Sequence, residues 1–384
     1  MTPPTKAYVG AKIHDGVTLF ETHALVVSVD GVSILPETDL PDACEVTRLD
    51  DGLIAPGFVD LQVNGGGGVM FNDAPSVETL RRIASAHAAV GTTAFLPTLI
   101  TDTPEQTRAA FEAVEAAIRE GVDGIVGLHL EGPHLSVARK GAHDPSLIRP
   151  MEDADLAMLF DASNRLPNLM VTVAPENTSL DQIAAMAEAG ILVSLGHTDA
   201  DYATCHAAFD AGARFVTHLF NAMSQLTSRA PGLVGATLDR EEVFAGLIAD
   251  GIHVDPATIR VALAAKPRSD RIFLVTDAMA VAGSSSDRFT LNGREVIRRD
   301  HRLTLVDGTL AGADLSMPRA VSVMSGAVGE SLSQSIARAT STPAALLRGV
   351  DGLGRIGRDT RVVNYFRDLS RFDTSDRILL EIPS

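Results

Sequence analysis

The sequence predicts an α/β protein: a (β/α)8 TIM-type barrel with a small β-sandwich domain formed by both chain ends. Three observations lead there. Eight short apolar runs alternate with alanine-rich segments of helical period from Gly57 onward. Nearly every run finishes in a residue able to do chemistry. Stretches rich in β-branched residues flank this region on both sides. At roughly 100–200 residues per domain, 384 residues suit one large domain plus a small one.

The elements follow in order. AYVGAKI, ALVVSVDGVSILP and CEVTRLDDG read as short strands broken by Asp-Gly and similar turn signals. The eight apolar runs are GFVDLQVN, TAFLPT, GIVGLHLEG, LMVTVAPE, ILVSLGH, FVTHLFN, VFAGLIADG and IFLVTDA. Between them, stretches such as SVETLRRIASAHAAVG, SLDQIAAMAEAG and DADYATCHAAFDAGA open on a Ser or Asp cap candidate. Most close on Gly, the expected helix punctuation. Strands alternating with helices argue for βαβ units and a parallel sheet, and eight of them fit a closed barrel. AVAGSSSDRF, after the eighth run, reads as a loop, either a lid over 281–289 or plain surface. RVVNYFRDL and DRILLEIP read as two late strands. The expected division is therefore 1–54 with 350–384 as a small β-domain, and 55–349 as the barrel.

Composition narrows the function. Hydrophobic residues make up 45% and charged residues 21%, ordinary globular usage. Lys and Arg number 32 against 49 Asp and Glu, a net charge of −17. Such a surface repels nucleic-acid backbones and anionic membranes, while one anionic metabolite can still find a locally basic pocket. Cys44 and Cys205 are too few for a disulfide framework or a cysteine-based zinc site. The N-terminus lacks a signal-peptide pattern, and no run of 18 apolar residues occurs, so the expected location is the cytoplasm.

In a barrel the C-terminal strand ends share one face, where active sites sit. Gln62 and Asn64, Glu131, Glu176, His197, His218, Asp250 with His253, and Asp277 all occupy such ends. For a single strand, a polar end merely marks where the chain meets solvent. For His, His, Glu and Asp on four strands, a shared site explains more. Glu131, His197 and His218 suit a catalytic metal centre with an open position. Asp277 suits a general base beside it, or alternatively a cap for a following helix. His143, in KGAHDPS, is placed either to polarise a carbonyl or to face solvent. Arg229 and His253 are candidates for an anionic group, although with 28 of 32 basic residues being Arg no single arginine is distinctive. His129 alternates in phase with Glu131 and reads as supporting it. His14, His23, His87, His206 and His301 read as structural or exposed. Gly65–Gly68 lacks the spacing of a nucleotide loop.

Taken together, PGFVDLQVNGGGGVMFND, FLPTLIT, GLHLEGPHLS, KGAHDP, VTVAPE, VSLGHTDA, THLFNAM, RAPGLVGA, GLIADGIHVD, LVTDAMA and LAGADLSM resemble, in order, the N-acetylglucosamine-6-phosphate deacetylase family of the amidohydrolase superfamily. The resemblance implies hydrolysis of the acetamide of N-acetyl-D-glucosamine 6-phosphate to D-glucosamine 6-phosphate and acetate, in amino-sugar catabolism and cell-wall recycling. It implies one divalent metal per subunit on Glu131, His197 and His218, with zinc first and iron, cobalt or cadmium as alternatives. Asp277 would be base and then acid, and His143 the carbonyl polariser. Substrate contacts would come from Ala142, Asn221, Ala222, His253 and the backbone of Leu310, Ala311 and Gly312. Arg229 would reach the phosphate of the neighbouring subunit in a homodimer. Where many amidohydrolases carry His-x-His on the first strand, this chain reads Gln62-Val63-Asn64. Amides are poorer ligands than imidazoles, which points to one firm metal. RVVNYFRDLSRFD departs from the C-terminal pattern usual in these enzymes. The remaining alternatives are another amide or the galactosamine epimer as substrate, a non-catalytic sugar-phosphate sensor, or a metal-free sugar isomerase.

Overall fold

A computed structural model describes residues 5–368 and 376–380. Eight parallel strands form its centre: β1 (Phe58–Val63), β2 (Thr92–Ile100), β3 (Leu128–Glu131), β4 (Leu169–Val173), β5 (Leu192–Leu195), β6 (Phe215–Val216), β7 (Phe244–Leu247) and β8 (Ile272–Leu274). They lie side by side in sequence order. The sheet closes on itself beyond β8, where Asp277 N–H donates to the Gln62 carbonyl at 3.0 Å and Asn64 N–H to that of Ala278 at 2.9 Å. The protein is therefore a TIM-type barrel, and all eight apolar runs are its strands.

Local chemistry sets the helix starts. Ser76 caps the helix Val77–Ala89, Thr103 caps Pro104–Arg119, and Asp255 caps Pro256–Ala265, each accepting an otherwise orphaned backbone N–H. Ser179 and Gln182 form a reciprocal capping box at Leu180–Glu188. Every residue of β1, β3 and β4 is buried, as a strand enclosed by helices outside and barrel core inside requires.

The barrel interior is partly polar. His129 donates from Nδ1 to the Leu61 carbonyl at 3.0 Å and meets Thr172 Oγ1 through Nε2 at 2.7 Å. Thr217 Oγ1 joins Thr172 Oγ1 at 2.6 Å and Ser194 Oγ at 2.7 Å. His129 thus ties β1, β3 and β4 together beneath the site, and Thr217 extends the network to β5. Asp60 is bound by Gln62 N–H and by both donors of Thr276, and burial pushes its carboxyl up to about 7.

At the chain ends, Val362–Phe366 pairs antiparallel with Leu53–Pro56 inside a five-stranded sheet, and a four-stranded sheet holds Lys6–Val9 and its neighbours. Ile13, Leu25, Val27, Ile54 and Val363 share one apolar cluster across both sheets. Alternation along Leu53–Pro56 places Leu53 and Ala55 in the barrel core and Ile54 in that second cluster. Of the late strand read in DRILLEIP, Asp376–Leu379 is described, while 381–383 lie outside the described residues.

After β8, residues 278–287 run as turns, with Ala280 and Val281 buried. They lead into a three-stranded antiparallel sheet the sequence reading did not anticipate: β9 (Arg288–Leu291), β10 (Arg294–Arg299) and β11 (Arg302–Leu305). Its signals were present in Asn292-Gly293, a strong two-residue hairpin pair, and in Asp300-His301. All four residues take positive φ, from 49° to 73°.

Behind β8, Arg338 donates to the carbonyls of Ser269 and Ile272 and pairs with Glu330 at 2.7 Å, both side chains being buried. Arg338→Met leaves that carboxylate and those carbonyls unpaired, so unfolding free energy falls by about 3–5 kcal/mol. Urea melts of the two proteins measure the difference, and a loss under about 1 kcal/mol would show that the pair is replaceable.

Candidate active site

The C-terminal strand ends converge on a cavity of about 380 Å³. Glu131 ends β3, while His197, His218 and Asp277 stand just beyond β5, β6 and β8. Those last three have positive φ of 47°, 34° and 51°. Asp and His tolerate that backbone better than most non-glycine residues, and three such positions meeting at one end of the barrel mark a functional site.

Glu131 Oε1 lies 3.1 Å from His197 Nε2 and 3.0 Å from His218 Nε2, and the two nitrogens are 3.1 Å apart. His197 Nδ1 faces the Arg139 carbonyl at 2.8 Å, which can only accept, so Nδ1 carries the proton and Nε2 a lone pair. A lone pair facing a carboxylate oxygen and a second imidazole needs a proton or a cation among them. One carboxylate and two imidazoles are the donor set of a catalytic zinc-type ion, with Asn64 Oδ1 and His218 Nδ1 left buried and unpartnered nearby. His143 also offers a nitrogen, within 4.8 Å of ligand atoms on Glu131 and His197. Burial alone would raise the Glu131 carboxyl, but the adjoining imidazoles of His197 and His218 hold it well below the carboxylate range.

Asp277 Oδ1 accepts from Asn64 Nδ2 at 2.6 Å and from Gln62 Nε2 at 3.2 Å, and the same Gln62 amide reaches Glu131 Oε1 at 3.2 Å. The first-strand amides therefore orient the two carboxylates. Burial, then the Glu131 charge, push Asp277 up to about 6. No helix starts directly after it, the next element being the strand Arg288–Leu291, so the capping alternative falls away. Gly312, at φ 63°, passes so close that a Cβ there would come within 2.9 Å of the Asp277 carbonyl oxygen.

His143 is buried and takes Thr101 N–H on Nδ1 at 3.3 Å, with Thr101 Oγ1 at 2.8 Å. A backbone N–H can only donate, so the ring's proton is on Nε2. Burial, then the neighbouring His197, push its pKa down to about 3. His143 is thus a neutral donor, edge-on to His197 with centroids 4.4 Å apart. His253 is aimed by Asp250, which accepts from its Nδ1 at 2.7 Å and from two backbone N–H groups.

Of the residues singled out in the sequence, Asn64, Glu131, Ala142, His143, His197, His218, Asn221, Ala222, His253, Asp277, Leu310 and Gly312 all line this cavity. Gln62 lies buried behind it. Ala311 turns its side chain into an apolar cluster with Met70, Ile100 and Met279. Arg229 is exposed and outside its own chain's cavity lining. The residues the sequence reading missed are those that aim others, Thr101 and the Arg139 carbonyl, whereas Asp250 was named beside His253 and the fold adds its contact. Only Asp250, three residues before His253, carries a signal of that role in its spacing.

The Amidohydrolase family model matches residues 53–358. This chain belongs to the amidohydrolase family. N-acetylgalactosamine-6-phosphate deacetylase of Shewanella sp. (strain ANA-3) is 44% identical over 303 residues, covering 78% of this amidohydrolase and 76% of that protein. N-acetylglucosamine-6-phosphate deacetylase of Haemophilus influenzae is 33% identical over 354 residues, covering 91% and 92%. The solved N-acetylglucosamine-6-phosphate deacetylase of Pasteurella multocida superposes with a TM-score of 0.88 at 36% identity, covering 97% of each chain. The cavity lies where a TIM-type barrel places its chemistry, at the C-terminal face where these side chains meet.

Proposed function

We propose that this amidohydrolase removes the acetyl group of N-acetyl-D-glucosamine 6-phosphate, giving D-glucosamine 6-phosphate and acetate, in amino-sugar catabolism and cell-wall recycling. The observation carrying the proposal is that an amide-oriented carboxylate, Asp277, and a tautomer-locked donor, His143, line one cavity with the Glu131–His197–His218 cluster. Asp277 accepts a proton from the attacking water and later delivers it to the departing amine. His143 Nε2–H donates to the acetyl oxygen as negative charge develops there. Gln62 and Asn64 keep the Asp277 carboxylate in register. A divalent ion on Glu131, His197 and His218, zinc before iron, cobalt or cadmium, would supply Lewis-acid polarisation and water activation.

Asn221, Ala222, His253 and the backbone of Leu310–Gly312 are assigned to the sugar phosphate. Arg229, exposed in its own chain, is assigned to the phosphate held by the other subunit of a homodimer. The chain ends, 1–54 and 350–384, are read as one small β-sandwich domain beside the 55–349 barrel. Among the described residues no helix is long and apolar enough to cross a membrane, and the enzyme is placed in the cytoplasm, with no nucleic-acid partner.

Acetate release from N-acetylglucosamine 6-phosphate tests the reading, with the unphosphorylated sugar and N-acetylgalactosamine 6-phosphate in parallel. Release that requires the phosphate is expected. No release from any of the three, with one metal bound per chain, would overturn the substrate assignment. A second reading, the galactosamine epimer as preferred substrate, is favoured by the 44% identical relative, and the ratio of the two kcat/KM values decides between them.

A further inference from the structure

We propose that Arg294 is a positioning residue, holding the loop that carries Ala142 and His143 against the three-stranded sheet inserted after β8. The inference rests on the deacetylase reading above. Asn292 and Gly293, with φ of 49° and 73°, form a tight two-residue turn that makes Leu291 and Arg294 cross-strand partners. Directly paired residues of an antiparallel hairpin project from the same face. Leu291 lines the catalytic cavity, so the turn directs Arg294 to that side as well. From there Arg294 Nη2 donates to the carbonyl of Ala142, 152 residues earlier in the chain.

The sheet is a firm base for this reach. Leu291, Val296, Leu303 and Leu305 pack with Met70, Ile100 and Met279 at the barrel mouth. Two other arginines of the sheet pair with carboxylates, Arg288 with Asp287 and Glu295, and Arg298 with Asp314. Among the described residues Arg294 has no carboxylate within ion-pair distance, and its guanidinium goes to the Ala142 carbonyl instead. On the other side, Thr101 holds the His143 ring. Thr101 therefore sets which way the imidazole points, and Arg294 sets where its backbone sits. Loss of the second restraint leaves a correctly protonated donor in the wrong place, and a misplacement of about 1 Å costs up to about 100-fold in rate.

Arg294→Met, which keeps the aliphatic stem, and Arg294→Lys, which keeps a donor, test this beside the wild type. The readouts are kcat and KM for acetate release, the melting temperature, and hydrogen exchange of amides 138–144. In Arg294→Met, kcat is expected to fall about 10–100-fold with little change in KM. Its melting temperature should hold while amides 138–144 exchange faster, and Arg294→Lys should recover part of both effects. Wild-type exchange in 138–144 of Arg294→Met would overturn the proposal. So would a rate loss matched by a fall in melting temperature and not recovered by lysine. If the wild type releases no acetate, the deacetylase reading fails, and the exchange comparison alone still decides the role of Arg294.

Discussion

Asp277→Asn lowers kcat for acetate release by about 10²–10⁴-fold, the usual range for loss of a positioned general base. Asparagine keeps the shape, but its amide cannot take a proton from water. Its carbonyl oxygen can still accept from Gln62 and Asn64 as Asp277 Oδ1 does, so the loss reads the proton transfer and not the orientation. The sign of the stability change is opposite. Burial raises the Asp277 carboxyl to about 6, above the unfolded value of about 3.9. A carboxyl raised on folding binds its proton more tightly in the native state, so its contribution falls as pH rises through that window and stays low at neutral pH. The metal-free Asp277→Asn protein should therefore melt at or above the wild-type temperature at pH 7, while being nearly inactive. In the wild type, kcat/KM declines on the acid side with a midpoint at or below about 6, because a bound cation favours the carboxylate and draws the midpoint down. A variant with more than about a tenth of wild-type kcat would remove Asp277 from the proton path, since base catalysis is worth at least about 10²-fold.

The second large effect is at Glu131. Glu131→Gln removes the only anion from the cluster with His197 and His218 and leaves a neutral oxygen 3.0–3.1 Å from two imidazole nitrogens. Loss of a partner outside the ligand set commonly costs about 10–100-fold in metal affinity, and loss of the anionic ligand should cost more. Counting metal per chain by elemental analysis, before and after dialysis against a chelator, reads this directly. Activity should track occupancy in both proteins. Full occupancy with full activity in Glu131→Gln would show that the ion is held elsewhere. His143 offers an alternative nitrogen beside Glu131 and His197, and His143→Gln with metal content unchanged would confine it to the donor role.

What was legible in the sequence is local. Apolar runs of strand length followed by capped helices are set by side-chain alternation and backbone hydrogen bonding over a few residues. Eight strands and their polar ends could therefore be read from GFVDLQVN to IFLVTDA. The barrel topology then carries Glu131, His197, His218 and Asp277 to one face, and the recurring motifs attach them to a known chemistry. The hairpin signal of Asn292-Gly293 was equally local, but the Gly- and Ser-rich segment before it drew the reading toward a loop.

Tertiary structure decided the rest, because protonation and orientation depend on groups far away in the chain. His197 presents Nε2 only because the Arg139 carbonyl, 58 residues earlier, takes Nδ1–H. His143 is a donor at Nε2 because Thr101, 42 residues away, supplies an N–H to Nδ1. Asp277 rises to about 6 because folding removes water and sets it beside Glu131. Arg294 meets Ala142 across 152 residues, and Ala311, adjacent in sequence to two cavity-lining residues, turns into an apolar cluster instead. Periodicity indicates which face of an element a residue occupies. Hydrogen-bond partners and desolvation are properties of what the folded chain brings to that face.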